Sequence, residues 1–166
     1  MKQALAIFLS ILLIASCKVS YTMKDISIPP NVKTIRIQYF ENKAGYVNPR
    51  LSQGLTDKFR QKVIGQTRLT LTNNDGADYD VSGWVSDYRF STAGVSNQQS
   101  SINRLSVTFH LVFKNSLDES KNIETDLQRS FDFKSDVDIP TAENLLFDDI
   151  LKNLSDEIFN KIFSNW

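Results

Sequence analysis

The sequence predicts an α+β fold. The architecture is a two-layer sandwich: a mixed, mostly antiparallel sheet with two helices packed on one face, in the order β-α-β-β-β-β-α. Three observations carry this. Segments of strict two-residue alternation, above all Leu105, Val107, Phe109, Leu111 and Phe113, read as strands with one buried face. Two longer stretches place their apolar residues at three- and four-residue intervals, as amphipathic helices do. The strands after the first helix follow one another through short polar turns, so the sheet is largely antiparallel and the helices are left to cover a single face.

Ile28-Pro29-Pro30-Asn31 cannot be helical, because each proline drives its predecessor to extended geometry. In the strand that follows, Ile35, Ile37 and Tyr39 are predicted to point inward, with Arg36 and Gln38 outward. Asn48 is predicted to cap the first helix, with Pro49 at its first position. Leu51, Leu55, Phe59 and Val63 form its apolar stripe, and Gly65 is predicted to end it. Gly54 either weakens that helix or lets a neighbour come close. Thr67 to Thr92 reads as a hairpin about Asn74-Asp75-Gly76, where positive φ costs little. On its second strand Tyr79, Val81, Gly83 and Val85 share one face, and Trp84, Tyr88 and Phe90 the other. A polar tip leads to the strand through Phe113. Asp118 to Asn122 turn the chain into a last strand with Ile123, Leu127, Phe131 and Phe133 inward. Pro140 and Thr141 open a final helix whose face is Phe147, Ile150, Leu151, Leu154, Ile158 and Ile162. The first two strands are joined through a helix, so if adjacent they run parallel.

The N-terminus is of a different kind. Lys2 precedes an almost wholly apolar run from Ala4 to Ala15, which suits a secretory signal and is shorter than the roughly 20 residues that span a bilayer. The chain's single cysteine, Cys17, stands where that run stops. It has no partner for a disulfide within the chain. A tether is also a poor place to hold the base that a catalytic thiol needs. Ile14-Ala15-Ser16-Cys17 resembles a bacterial lipobox, which implies cleavage before Cys17 and acylation of the thiol and the new N-terminus. Each buried CH₂ contributes about 0.8 kcal/mol, so stable anchoring takes more than one chain. Lys18 stands where lipoproteins of the inner membrane usually carry aspartate, which points to the outer membrane. The expected organisation is a signal peptide over residues 1–16, a lipidated N-terminus and tether over 17–31, and one domain over 32–166.

Composition excludes more than it assigns. The formal net charge is zero, so there is no basic field for nucleic acid. The only histidine, His110, lies mid-strand on the polar side, with no second histidine or free cysteine to complete a metal site. Asp78 and Asp80 share a strand face beside a turn and read as surface charges rather than as an acid–base pair. No phosphate loop, nucleophile elbow or zinc helix occurs. The sequence thus predicts no catalysis, no cofactor and no metal, and a protein that works by binding.

The lipobox, "SIPPNVKTIRIQYFENKA", "VNPRLSQGLTDKFRQKV", "QTRLTL", Ile102-Asn103-Arg104-Leu105 and the C-terminal "EIFNKIFSNW" together resemble the LptE family of lipopolysaccharide-assembly lipoproteins. The likeness runs over nearly the whole chain, through the order and spacing of segments rather than one motif. It implies an outer-membrane lipoprotein on the periplasmic face that plugs and assembles the LptD-type barrel and assists lipopolysaccharide transport to the outer leaflet. The competing expectation is a lipid-anchored accessory of another envelope machine, a cell-wall synthase or a secretion channel. Some family members bind lipopolysaccharide through basic residues. From position alone, Arg89 and Arg104 flank the polar tip and are the candidates here, since guanidinium suits lipid A phosphates. Trp166 is expected either to close the core or to face a partner.

Overall fold

The computed structural model describes residues 28–92 and 102–164; the signal segment, Cys17, the polar tip and Trp166 lie outside the described residues. The elements are β1 (Thr34–Ile37), β2 (Glu41–Asn42), α1 (Leu51–Gln66), β3 (Thr70–Leu71), β4 (Tyr79–Thr92), β5 (Ile102–Asn115), a 3-10 turn (Glu119–Lys121), β6 (Ile123–Lys134) and α2 (Ile139–Phe163). The sheet runs β3-β1-β4-β5-β6, with β2 pairing β4 beyond the end of β1. The pairs of β1 with β3 and β4, and of β2 with β4, are parallel; β4–β5 and β5–β6 are antiparallel. The α+β architecture is therefore as the sequence predicts, with one further short strand.

Both helices lie on one face. Leu55, Phe59 and Val63 of α1 and Ile150, Leu154, Ile158 and Phe159 of α2 meet Val81, Val85, Leu105, Val107, Phe109 and Leu111 of the sheet in one core. Phe109 sits edge-on to Phe40 at 4.8 Å, and Phe40 packs against Phe59 at 5.7 Å. A Cβ on Gly54 would stand 3.0 Å from Leu151 Cδ1, so the missing side chain is what lets the helices approach. α2 is capped by Asp138, whose carboxylate accepts from the Thr141 N–H at 3.0 Å.

Five local expectations are corrected. β3 and β4 form no hairpin, because β1 inserts between them: Ile35 pairs with Leu71 on one side and Tyr79 on the other. The Asn74–Gly76 segment is instead an Asx turn, with the Gly76 N–H donating to Asn74 Oδ1 at 3.0 Å. Tyr88 and Phe90 lie on the helix face, apart from Trp84. A β-bulge between Val85 and Asp87 adds one residue, and one residue is enough to exchange the two faces of a strand. Tyr39 is 55% exposed, and Phe40 turns inward in its place, because β1 ends at Ile37. α1 starts at Leu51; Asn48 caps the preceding turn by accepting from the Arg50 N–H at 3.0 Å. Gly65 lies inside α1, which ends with Thr67 donating to the Val63 carbonyl.

Candidate functional site

The face of the sheet opposite the helices is open and polar. Its residues are set by alternation, and pairing aligns them in rows across the strands. In one row Glu41, Trp84, His110 and Asp126 face one another across β2, β4, β5 and β6. The Trp84 and His110 rings stack at 4.3 Å, and Lys43 Nζ lies 4.4 Å from the indole centroid. His110 Nδ1 is 2.8 Å from Asp126 Oδ1 and Nε2 is 3.3 Å from Glu124 Oε1. A histidine so engaged is a structural crosslink between β5 and β6.

Asp78 and Asp80 are not free surface charges. Asp78 accepts from the backbone N–H groups of Lys33 and Thr34 at 2.8 and 2.9 Å and from the Thr34 hydroxyl at 3.0 Å, fastening the start of β1 to the loop before β4. Those backbone donors hold its pKa below the ordinary aspartate value. Asp80 is opposed by burial, but donation from Arg36 and Gln38 outweighs it and keeps the carboxyl low. Arg36 also pairs with Asp75, which draws the crossing loop over the open face of β1. Both acids are therefore spent on topology.

Arg89 and Arg104, named from their position flanking the polar tip, stand near each other on the sheet. Arg89 pairs with Ser106 and Arg104 with Ser91, so the two are diagonal neighbours on the open face near the end of the β4–β5 ribbon. Arg104 is held by Asp132 in a two-pronged contact of 2.6 and 2.9 Å, which raises the pKa of the guanidinium and lowers that of the carboxyl. Arg89 contacts Asp87 at 2.6 Å and its side chain is 71% exposed.

The same end of the molecule holds a group that the sequence reading missed. Glu143, in the first turns of α2, accepts from the Tyr46 hydroxyl at 3.0 Å and from Asn48 Nδ2 at 3.2 Å. Tyr46 stacks on Tyr88 at 5.5 Å and meets Phe90 edge-on. The Tyr88 hydroxyl is buried beside Glu143 and Asn48 without a hydrogen bond of good geometry. Burial first, then the Glu143 carboxylate, pushes its pKa well up. The available signal was Tyr46-Val47, an apolar pair in an otherwise polar loop.

Among the described residues no group of three or more His, Cys, Asp or Glu side chains could hold a metal, and no helix is long and apolar enough to cross a membrane. The fold and its surfaces define a class: small two-layer α+β domains that present an open polar sheet face. More particularly, the chain belongs to the LptE family of lipopolysaccharide-assembly proteins, whose family model matches residues 32–162. It is a family of non-enzymatic accessory lipoproteins of the envelope, with a role in lipopolysaccharide assembly. Among solved structures the chain is similar to the rare lipoprotein B of Shewanella oneidensis: 12% identity, TM-score 0.51, covering 76% of this chain and 92% of that one. It is also similar to a lipoprotein B of Nitrosomonas europaea described as uncharacterized: 12% identity, TM-score 0.52, covering 84% and 91%. At such identity the likeness is one of fold. No curated protein matches the sequence.

Proposed function

We propose that this protein is an outer-membrane lipoprotein, anchored through acylated Cys17 on the periplasmic face, that plugs and assembles a large β-barrel of the LptD type. In that place it assists passage of lipopolysaccharide to the outer leaflet. Family membership over residues 32–162 carries the reading. The open face supports it. A plug must present a rigid, polar surface, because the interior of a large barrel is polar. Rows of paired side chains across the strands supply that surface. The anchor raises the effective concentration of the plug beside its barrel.

The test is to tag the C-terminus, solubilise outer membranes in mild detergent and identify what co-purifies. The expected result is a large β-barrel in about equal amount, stable to salt, and less of it with Cys17→Ala. A cell-wall synthase or secretion-channel component in its place would transfer the protein to another envelope machine.

Arg89 and Arg104 are proposed to meet lipid A phosphates, as two guanidinium groups on one face of an exposed ribbon. Phosphate would compete with Asp87 and Asp132 for the same donors. The double variant Arg89→Ala, Arg104→Ala is expected to weaken lipopolysaccharide binding about tenfold, since charge-assisted contacts contribute about 1.5–3 kcal/mol each before that competition is subtracted. Unchanged binding would remove both residues from the assignment.

A further inference from the structure

At the end of the sheet away from the β4–β5 tip, three segments enclose an open cleft of about 800 Å³. They are the lead into β1, the turn between β5 and β6, and the last turn of α2. The last described residue, Ser164, lines this cleft. We propose that Trp166, two residues further on, seats its indole there and closes the cleft from within the same chain.

The backbone sets the direction. Ser164 caps α2 with φ −99° and ψ 116°, so the chain leaves the helix extended. In an extended chain residues i and i+2 point to the same side. One more pair of that geometry carries Trp166 to the side that Ser164 lines. Two extended residues advance about 7 Å, a short step from the cleft wall.

The lining matches an indole. Tyr79 and Phe113, edge to face at 5.0 Å, and the half-buried Ile123 and Ile162 give apolar walls. Lys121 and Lys161, both exposed, line the same cleft and offer cations to the face of the ring. Asp118 and Glu124 offer acceptors to its N–H. Such a mixed lining suits a side chain with an apolar body and a polar edge better than an aliphatic one. Attachment decides between this indole and an aromatic group from another protein. A group two residues away arrives at high effective concentration and without the cost of association. Closure joins the end of α2 to the β5–β6 turn and takes Trp166 out of contact with partners. The inference holds whatever the partner is.

The test uses the full chain in detergent micelles, first with Trp84→Phe, which leaves Trp166 as the remaining tryptophan of two. NMR is expected to show Overhauser contacts from the indole to the methyl groups of Ile123 and Ile162. Acrylamide is expected to quench its fluorescence several-fold less than in the urea-unfolded chain. Trp166→Ala, made without any change at Trp84, is expected to shift the amide signals of Tyr79, Phe113 and Ile123. An indole quenched as freely as in urea would overturn the assignment. So would an indole whose contacts are to detergent or to another part of the fold, or Trp166→Ala shifts that leave the cleft residues unmoved.

Discussion

On the covered face of β4, Gly83 lies under the ring of Phe109 with no room for a methyl group. One residue along, on the open face, Trp84 stacks on His110 with both side chains reaching solvent. The two positions share a strand and differ in what a change would cost. The covered face is held by volume: apolar side chains from the sheet and both helices fill one space, and neither loss nor gain of atoms is absorbed locally. The open face is held in part by pairing, as of Arg104 with Asp132 and His110 with Asp126, and water can replace either partner. Stability is therefore concentrated on the helix side. The open side keeps its chemistry free to vary with its partner.

The largest effects break the covered face. A Cβ at Gly83 would stand 2.3 Å from the His110 carbonyl oxygen and 2.5 Å from Phe109 Cζ. Gly83→Ala is expected to destabilise by about 3 kcal/mol, and Phe109→Ala, which empties the centre of the core, by about 3–5 kcal/mol. Urea denaturation measures both. The double variant sharpens the point. Removing the ring relieves one of the two clashes, so its cost should fall below the sum by about 1 kcal/mol, while the carbonyl clash remains. Strict additivity would mean that the ring does not confine Gly83.

An intermediate effect comes from Asp78, which belongs to neither face but ties β1 to the loop before β4. Its carboxyl pKa is depressed, so its stabilisation is fully present above the unfolded aspartate value of about 3.9 and is lost as pH falls through the lower folded value. Asp78→Asn is expected to cost about 1 kcal/mol at pH 7, with the gap from the natural chain closing as pH falls below about 3.9. A gap of the same size at neutral and acid pH would show that the charge contributes nothing to the tie.

The legibility of the sequence follows the same division. Long alternation and helical spacing read correctly, because burial of one face writes itself into many residues at once. The strand from Leu105 to Phe113 is the clearest case, whereas β2 and β3, of two residues each, have no period to read. The insertion of β1 between β3 and β4 depends on contacts from Arg36 to Asp75 and Asp80, some forty positions away. The bulge after Val85 is a single residue and moves Tyr88 and Phe90 to the other side. Of the candidate site, Arg89 and Arg104 are visible from their position beside the polar tip. Glu143 is not, since its hydrogen-bond donors Tyr46 and Asn48 come from almost a hundred residues earlier.

The smallest effect should appear where the open face is most ordered. Trp84 and His110 stack directly across β4 and β5, with Lys43 over the indole and Asp126 on the imidazole. Cross-strand aromatic pairs contribute about 0.5–1.5 kcal/mol beyond the area they bury, and exposed ion pairs less. His110→Ala and Trp84→Ala are therefore each expected to cost about 1 kcal/mol, with a coupling of about 0.5 kcal/mol in the double-mutant cycle. Such variants remain folded, so they also separate stability from assembly. If the open face is what a polar barrel wall meets, Trp84→Ala should reduce co-purification of the barrel far more than it lowers the urea midpoint. Losses in equal proportion would mean that the row Glu41, Trp84, His110 and Asp126 serves the fold alone, and that the partner is met elsewhere on the molecule.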